Sequence, residues 1–164
     1  MSVTNGFLKL SLDEFELLKK DRDAFERRAR EYDESNGYLD MDKAGYELAY
    51  MLDDSLTEYS DPEKQPFQNI AGVLFGGNAL HPDLDLGYGP AVIIDRQTMK
   101  NAIEEFLNLQ FDQFFKFAND ELVADMLIFD VTEDAVRDYH WTYLNSLINF
   151  LQDAVKQNAA VVRY

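Results

Sequence analysis

The chain has 164 residues, 46% of them hydrophobic and 13% aromatic, so it can bury a core, and intrinsic disorder is excluded. It contains no cysteine, which excludes disulfide frameworks and thiolate zinc sites. The formal net charge of −16 disfavours nucleic acid and anionic membrane surfaces as partners, because both repel a strongly negative protein.

The first third of the chain predicts a short strand followed by helices. Residues 6–10 (GFLKL) have the composition of a strand. Ser11 and Glu14 form a capping box, in which both side chains are expected to satisfy exposed amides at a helix start. A later helix, with leucines at helical spacing, is predicted to be capped by Asp40 or Asp42.

The middle of the chain predicts two further helices and one strand. Pro66 suits a first helical turn, and the glycines at 76–77 end the helix that it opens. The apolar run 91–94 (AVII) predicts a strand, and Asp95 is expected to cap the helix after it.

Aromatic residues mark the last third of the chain. The phenylalanines between 111 and 117 could form a box for a flat cofactor, but their helical spacing favours packing in the core. Thr132 begins the longest predicted helix, over about 133–157, and a strand over about 159–163 follows.

The order of elements predicts an α+β fold, because strands and helices do not alternate regularly. We expect a single compact domain over 1–164, with several helices packed around a small, mostly antiparallel sheet. The strands near 7–10, 91–94 and 159–163 should pair in one sheet, with the helix at 133–157 packed on it.

Catalytic motifs are not evident in the sequence. There is no Gly-x-Ser-x-Gly elbow and no glycine-rich phosphate loop, and the only two histidines, His81 and His140, lie far apart in the sequence. A hydrogen-bonded structural role is favoured for His140. The segment 81–87 (HPDLDLG) resembles part of a calcium loop, but it lacks a third acidic position and the final glutamate. We therefore expect no metal and no cofactor.

Acidic residues are concentrated in the segment 31–63, which has eleven carboxylates and one cation, Lys43. Because unpaired buried charge is costly, all eleven are expected to face water or a cationic partner. The alternative is that the acidity serves solubility alone. The N-terminus lacks the pattern of a signal peptide, and no apolar run could span a bilayer, so a cytoplasmic protein is expected.

Three motifs resemble the YfbM-like family of bacterial proteins. They are GYLDMDKA at 37–44, the glycine pair at 76–77, and GYGPA at 87–91. The chain departs from the family pattern at Gly45, where an aromatic residue is usual, and at Val92, where an arginine is usual. The resemblance implies a compact cytoplasmic α+β domain in which LDMDK and GYGP are structural corners. It implies no activity, because the family is of unknown function.

Two hypotheses about function follow from these observations. The first is a non-enzymatic acidic module that binds a basic protein, as immunity proteins mask cationic toxins. The second is a small-molecule-binding domain or a small enzyme, with carboxylates converging near the GYGP loop. The candidate surface residues for a ligand or partner are Asp40, Asp42, Asp53, Asp54, Asp83, Asp85 and Tyr88.

Overall fold

The computed structural model of the chain describes residues 5–53 and 61–164. Within them, five strands form one antiparallel sheet: β1 Gly6–Leu10, β2 Tyr38–Asp40, β3 Asn78–Ala79, β4 Val92–Ile94 and β5 Ala160–Arg163. The strand order is β2-β1-β5-β4-β3. The predicted α+β class is therefore confirmed.

The C-terminal strand β5 lies at the centre of the sheet. Its Val162 is opposite Leu8 of β1 on one side and Ile93 of β4 on the other. The prediction that the three strands pair in one sheet is confirmed. The edge strands β2 and β3, of three and two residues, were not predicted, because segments this short carry no clear alternation.

The helices that the structure describes vary from one turn to four. They are α1 Leu12–Lys20, α2 Arg22–Ala29, α3 Ala44–Leu52, α4 Gln68–Phe75, α5 Arg96–Leu107, α6 Phe111–Ala118, α7 Glu121–Ala124, α8 Glu133–Ala135 and α9 Thr142–Lys156. A π-helical segment, Val136–Trp141, joins α8 to α9, so the predicted helix at 133–157 is present with an irregular first half. No helix of residues 5–53 and 61–164 is long and apolar enough to cross a membrane.

Alternate residues of β1 and β5 lie in two separate cores, one on each face of the sheet. Phe7 and Val161 lie in the core that contains the apolar side of α9, which confirms that this helix packs on the sheet. Leu8 and Val162 lie in the other core, with Phe15 of α1. The buried phenylalanines of α6 belong to the first core, as their spacing predicted.

Helix caps explain most of the helix starts. The Ser11 hydroxyl accepts a hydrogen bond from the Glu14 amide at 3.2 Å, and Asp95 accepts one from the Thr98 amide at 3.1 Å. The other half of the predicted capping box is wrong. The Glu14 carboxylate accepts a hydrogen bond from Arg28 of α2 at 2.9 Å, because a buried arginine competes for it.

Candidate functional site

The loop between β3 and β4 is a closed structural turn. The Asp85 carboxylate accepts hydrogen bonds from the amides of Gly87 at 2.7 Å and Gly89 at 2.9 Å, and these bonds lower the pKa of its side chain. Leu84 is buried in the second core, whereas Asp83 and Tyr88 are exposed. The local contacts of Asp85 are those of a turn, as the resemblance implied for GYGP.

Asp40 and Asp42 hold a second turn, between β2 and α3. The Asp40 carboxylate accepts a hydrogen bond from the Asp42 amide at 2.8 Å, and Asp42 has a positive φ of 46°. The Asp42 carboxylate accepts a hydrogen bond from the Tyr139 hydroxyl at 2.9 Å. Helix α3 has no side-chain cap, so the prediction that Asp40 or Asp42 caps it is wrong.

The sheet topology separates the acidic pairs that the second hypothesis brings together. Asp40 ends β2 at one edge of the sheet, whereas Asp83 and Asp85 follow β3 at the opposite edge. Three strands lie between them, so the four carboxylates do not share one sheet edge. Asp53 follows the last residue of α3, and Asp54 lies outside the described residues.

Glu47 contradicts the prediction that every carboxylate of 31–63 is exposed. Its side chain is on the apolar side of α3 with Ala44, Leu48 and Met51, and it is only 2% exposed. The sequence carried this signal, because positions 44, 47, 48 and 51 have the spacing of one helix face. Burial is tolerated because both carboxylate oxygens have hydrogen-bond partners.

The Glu47 carboxylate joins two distant parts of the chain. One oxygen, Oε2, lies 2.5 Å from Nε2 of His140, which is 1% exposed on the π-helical segment. The other, Oε1, accepts a hydrogen bond from the Ile128 amide at 2.6 Å. The predicted structural role of His140 agrees with this geometry, but its acidic partner was missed. Single π-helical turns occur frequently at functional sites, which makes this pair a candidate.

Aromatic rings connect the buried pair to the surface. Tyr139 packs edge-on against His140, Tyr143 and Phe129, with ring centroids 5.0 to 5.1 Å apart. Burial is the main cause that raises the pKa of the Tyr139 hydroxyl, and the hydrogen bond to Asp42 is the second. This group therefore remains a neutral donor. Asp42 and Phe129 therefore both contact Tyr139.

Residues 119–134 form what we call the acidic–apolar surface. It has four large apolar side chains that are 46% to 56% exposed, namely Leu122, Met126, Ile128 and Phe129. Its exposed carboxylates are Asp120, Glu121, Asp125, Asp130, Glu133 and Asp134. The segment contains no lysine or arginine. The sequence alone does not show that these four apolar side chains are exposed, because their composition is also that of a buried helix.

A polar groove of about 380 Å³ lies elsewhere, beside the end of β1. Its residues include Lys9, Glu14, Arg28 and Gln157. The Arg28 guanidinium already donates to Glu14, Glu31 and the Asn36 carbonyl, so each of its three nitrogens has a protein partner. We assign no ligand to this groove.

We expect chelators to leave the thermal midpoint unchanged. Within residues 5–53 and 61–164, no three His, Asp or Glu side chains are grouped in a way that could hold a metal ion. Thermal unfolding with EDTA, and with added calcium, checks this expectation. A rise of several degrees with calcium that Asp83→Asn abolishes would overturn it.

Comparison with known proteins agrees with the fold and with the resemblance. The crystal structure of YfbM from Escherichia coli, a protein of unknown function, superposes with a TM-score of 0.61 and covers 98% of each chain at 13% sequence identity. That likeness is one of fold. No curated protein matches the chain. The family model described as Domain of unknown function (DUF1877) matches residues 1–164, so the chain belongs to this YfbM-like family.

Proposed function

We propose that this chain is a non-enzymatic cytoplasmic interaction module, and that it binds a basic protein through the acidic–apolar surface. The observation that carries the proposal is the composition of 119–134, where exposed apolar side chains and exposed carboxylates alternate along the chain. Apolar side chains exposed singly are ordinary, but a group of them with a polar rim is typical of a protein interface.

The charges of this surface are largely uncompensated. Glu133 pairs with Arg137 at 2.9 Å, and Asp120 caps α7. Glu121, Asp125 and Asp130 make no ion pair with any residue in the described ranges 5–53 and 61–164. A partner with lysine or arginine around an apolar centre would supply the missing counter-charges and speed the encounter.

A second copy of the chain is a poor occupant for this surface. A symmetric contact would bring the same six carboxylates of each copy together, on proteins that each have a net charge of −16. Like-charge juxtaposition is strongly unfavourable. Masking of a cationic protein, in the manner of an immunity protein, fits the charge better.

The ligand-binding alternative has less support. It requires Asp40, Asp42, Asp83 and Asp85 to converge near Tyr88, whereas the sheet order places the two pairs at opposite edges. Asp85 is occupied by its own turn, and Asp42 by Tyr139. Asp42 contributes better to the rim of the acidic–apolar surface, because its partner Tyr139 also packs against Phe129.

Binding of a defined probe tests the proposal. The probe is a synthetic amphipathic helix of leucine and lysine, measured by stopped-flow fluorescence at low and high salt. Reversing Asp125 and Asp130 to lysine is expected to slow association by about 10-fold or more, because steering by charge acts mainly on the association rate. Raising the salt concentration should produce the same slowing in the wild type.

A matched control separates the surface from net charge. Glu104→Lys with Asp153→Lys makes the same change in charge at exposed positions of α5 and α9. This control should slow association by less than about 3-fold, since neither position lies in the acidic–apolar surface and salt weakens the effect of more distant charges. Reversal of Asp53 and Asp54 to lysine, at two candidate residues from the sequence, is measured as a third variant. An association rate that is insensitive to salt, or that falls equally in all three charge-reversal variants, would overturn the proposal.

A further inference from the structure

We infer that Glu47 is the positioning residue of the acidic–apolar surface, and that its carboxylate fixes the shape in which Ile128 and Phe129 are presented. The effect on binding rests on the proposed function. The structural part, that Glu47 holds the segment, is independent of any partner.

The Ile128 amide is the point of attachment. Its N–H donates to Glu47 Oε1 at 2.6 Å, across 81 positions of sequence. Ile128 lies just before Phe129, and both side chains point outward in part while this amide points inward. A hydrogen bond to a carboxylate is stronger than one between neutral groups, so a single contact can fix the backbone here.

The backbone around Ile128 has little other support. The amides of residues 128–131 reach no backbone acceptor within the described part of the chain. Val123 is buried, and Leu127 and Val131 pack partly against the core, so apolar contacts hold the segment down without fixing its path. The Glu47 carboxylate is the polar contact that sets where Ile128 and Phe129 are placed.

His140 fixes the direction of that carboxylate. Its Nε2 lies 2.5 Å from Glu47 Oε2, which leaves Oε1 for Ile128. The other ring nitrogen, Nδ1, is buried without a partner among the described residues. An apolar pair of the same volume would avoid that cost, so the pair contributes little to stability by itself. Positioning of the 128–129 backbone gives the buried pair a function.

The experiment compares amide exchange in three variants by NMR. Glu47→Gln keeps one carbonyl oxygen and removes the charge, and Glu47→Met removes both acceptors at similar volume. Glu105→Gln is the matched control, because Glu105 also accepts hydrogen bonds from remote amides, those of Asn69 and Ile70, at 3.0 and 2.8 Å. Each variant is also measured for binding of the leucine–lysine helix.

Glu47→Met should speed exchange of the Ile128 amide by about 10-fold to 100-fold relative to the amides of β1 and β5, as expected for loss of a charge-assisted hydrogen bond. Glu47→Gln should have a smaller effect in the same direction. Glu105→Gln should leave Ile128 unchanged. Glu47→Met should also weaken binding of the helix by about 10-fold through faster dissociation, since a preorganised surface limits the ordering cost of binding.

The outcomes distinguish the two proposals. Unchanged exchange at Ile128 in Glu47→Met overturns the positioning role, whatever the helix does. Faster exchange with unchanged binding of the helix confirms the positioning role and counts against 119–134 as the contact surface. Faster exchange throughout β1 and β5 to the same extent shows that Glu47 acts on global stability, and this also overturns the inference.

Discussion

His140→Leu is expected to lower the free energy of unfolding by about 3 to 5 kcal/mol, the usual cost of leaving a buried carboxylate without its partner. The substitution leaves the Glu47 carboxylate 2% exposed with the Ile128 amide as its remaining partner. Leucine fills the space of the imidazole ring but has no hydrogen-bond donor. Urea unfolding followed by circular dichroism measures the loss.

The double variant Glu47→Met with His140→Leu is expected to be more stable than His140→Leu alone. Removing both members eliminates the stranded carboxylate and replaces the pair by apolar groups of similar size. The double-mutant cycle should therefore show strong coupling between Glu47 and His140. Additive effects of the two single substitutions would mean that the contact between their side chains is energetically unimportant.

His81→Leu is the matched control for this series. His81 is only partly buried, and its Nε2 lies 2.8 Å from the Leu18 carbonyl oxygen, which is a neutral acceptor. Its loss should cost only about 1 kcal/mol, the net value of a typical neutral hydrogen bond. The difference between the two histidines measures the contribution of the acidic partner.

The sequence predicted the parts of the fold that depend on local patterns. The caps at Ser11 and Asp95 were found because the side chain and the amide that it satisfies are three positions apart. The strands at 6–10, 91–94 and 159–163 were found because each is a bounded apolar run. Their pairing in one sheet followed from the requirement that apolar faces be covered.

The sequence did not predict the parts of the candidate site that depend on distant contacts. Glu47 and His140 are 93 positions apart, and nothing local indicates that they meet. The exposed side chains at 122–129 have the same composition as a buried helix, so only the tertiary structure shows which of them remain uncovered. Charge counting placed Glu47 at the surface because it ignored the buried partner that compensates a carboxylate.

The second large effect is expected at Gly37, which joins the 34–36 turn to β2. Gly37 has a φ of +88°, a conformation that costs other residues about 1 to 2 kcal/mol. A Cβ there would also lie 2.6 Å from the Lys9 carbonyl oxygen, a backbone atom that cannot rotate away. Gly37→Ala should therefore lower the free energy of unfolding by about 2 to 4 kcal/mol.

Gly89→Ala separates the two causes. Gly89 has a similar φ of +98°, but no atom lies within 4 Å of its added Cβ. Its substitution should therefore cost only the conformational term, about 1 to 2 kcal/mol. Equal losses at the two glycines would show that the contact with Lys9 contributes nothing.

The effect of Gly37→Ala should extend to the candidate site. The Gly37 carbonyl accepts a hydrogen bond from the Lys9 amide at 2.8 Å, and the register of β2 against β1 places Asp40 opposite Gly6. Moving Gly37 away from Lys9 shifts β2 and the turn that follows it. Because that turn holds Asp42 against Tyr139, Gly37→Ala should shift the NMR resonances of Tyr139, whereas Gly89→Ala, at the opposite edge of the sheet, should not. If the Gly37→Ala variant is less stable but the NMR resonances of Tyr139 do not shift, the turn at 40–42 keeps its position without β2.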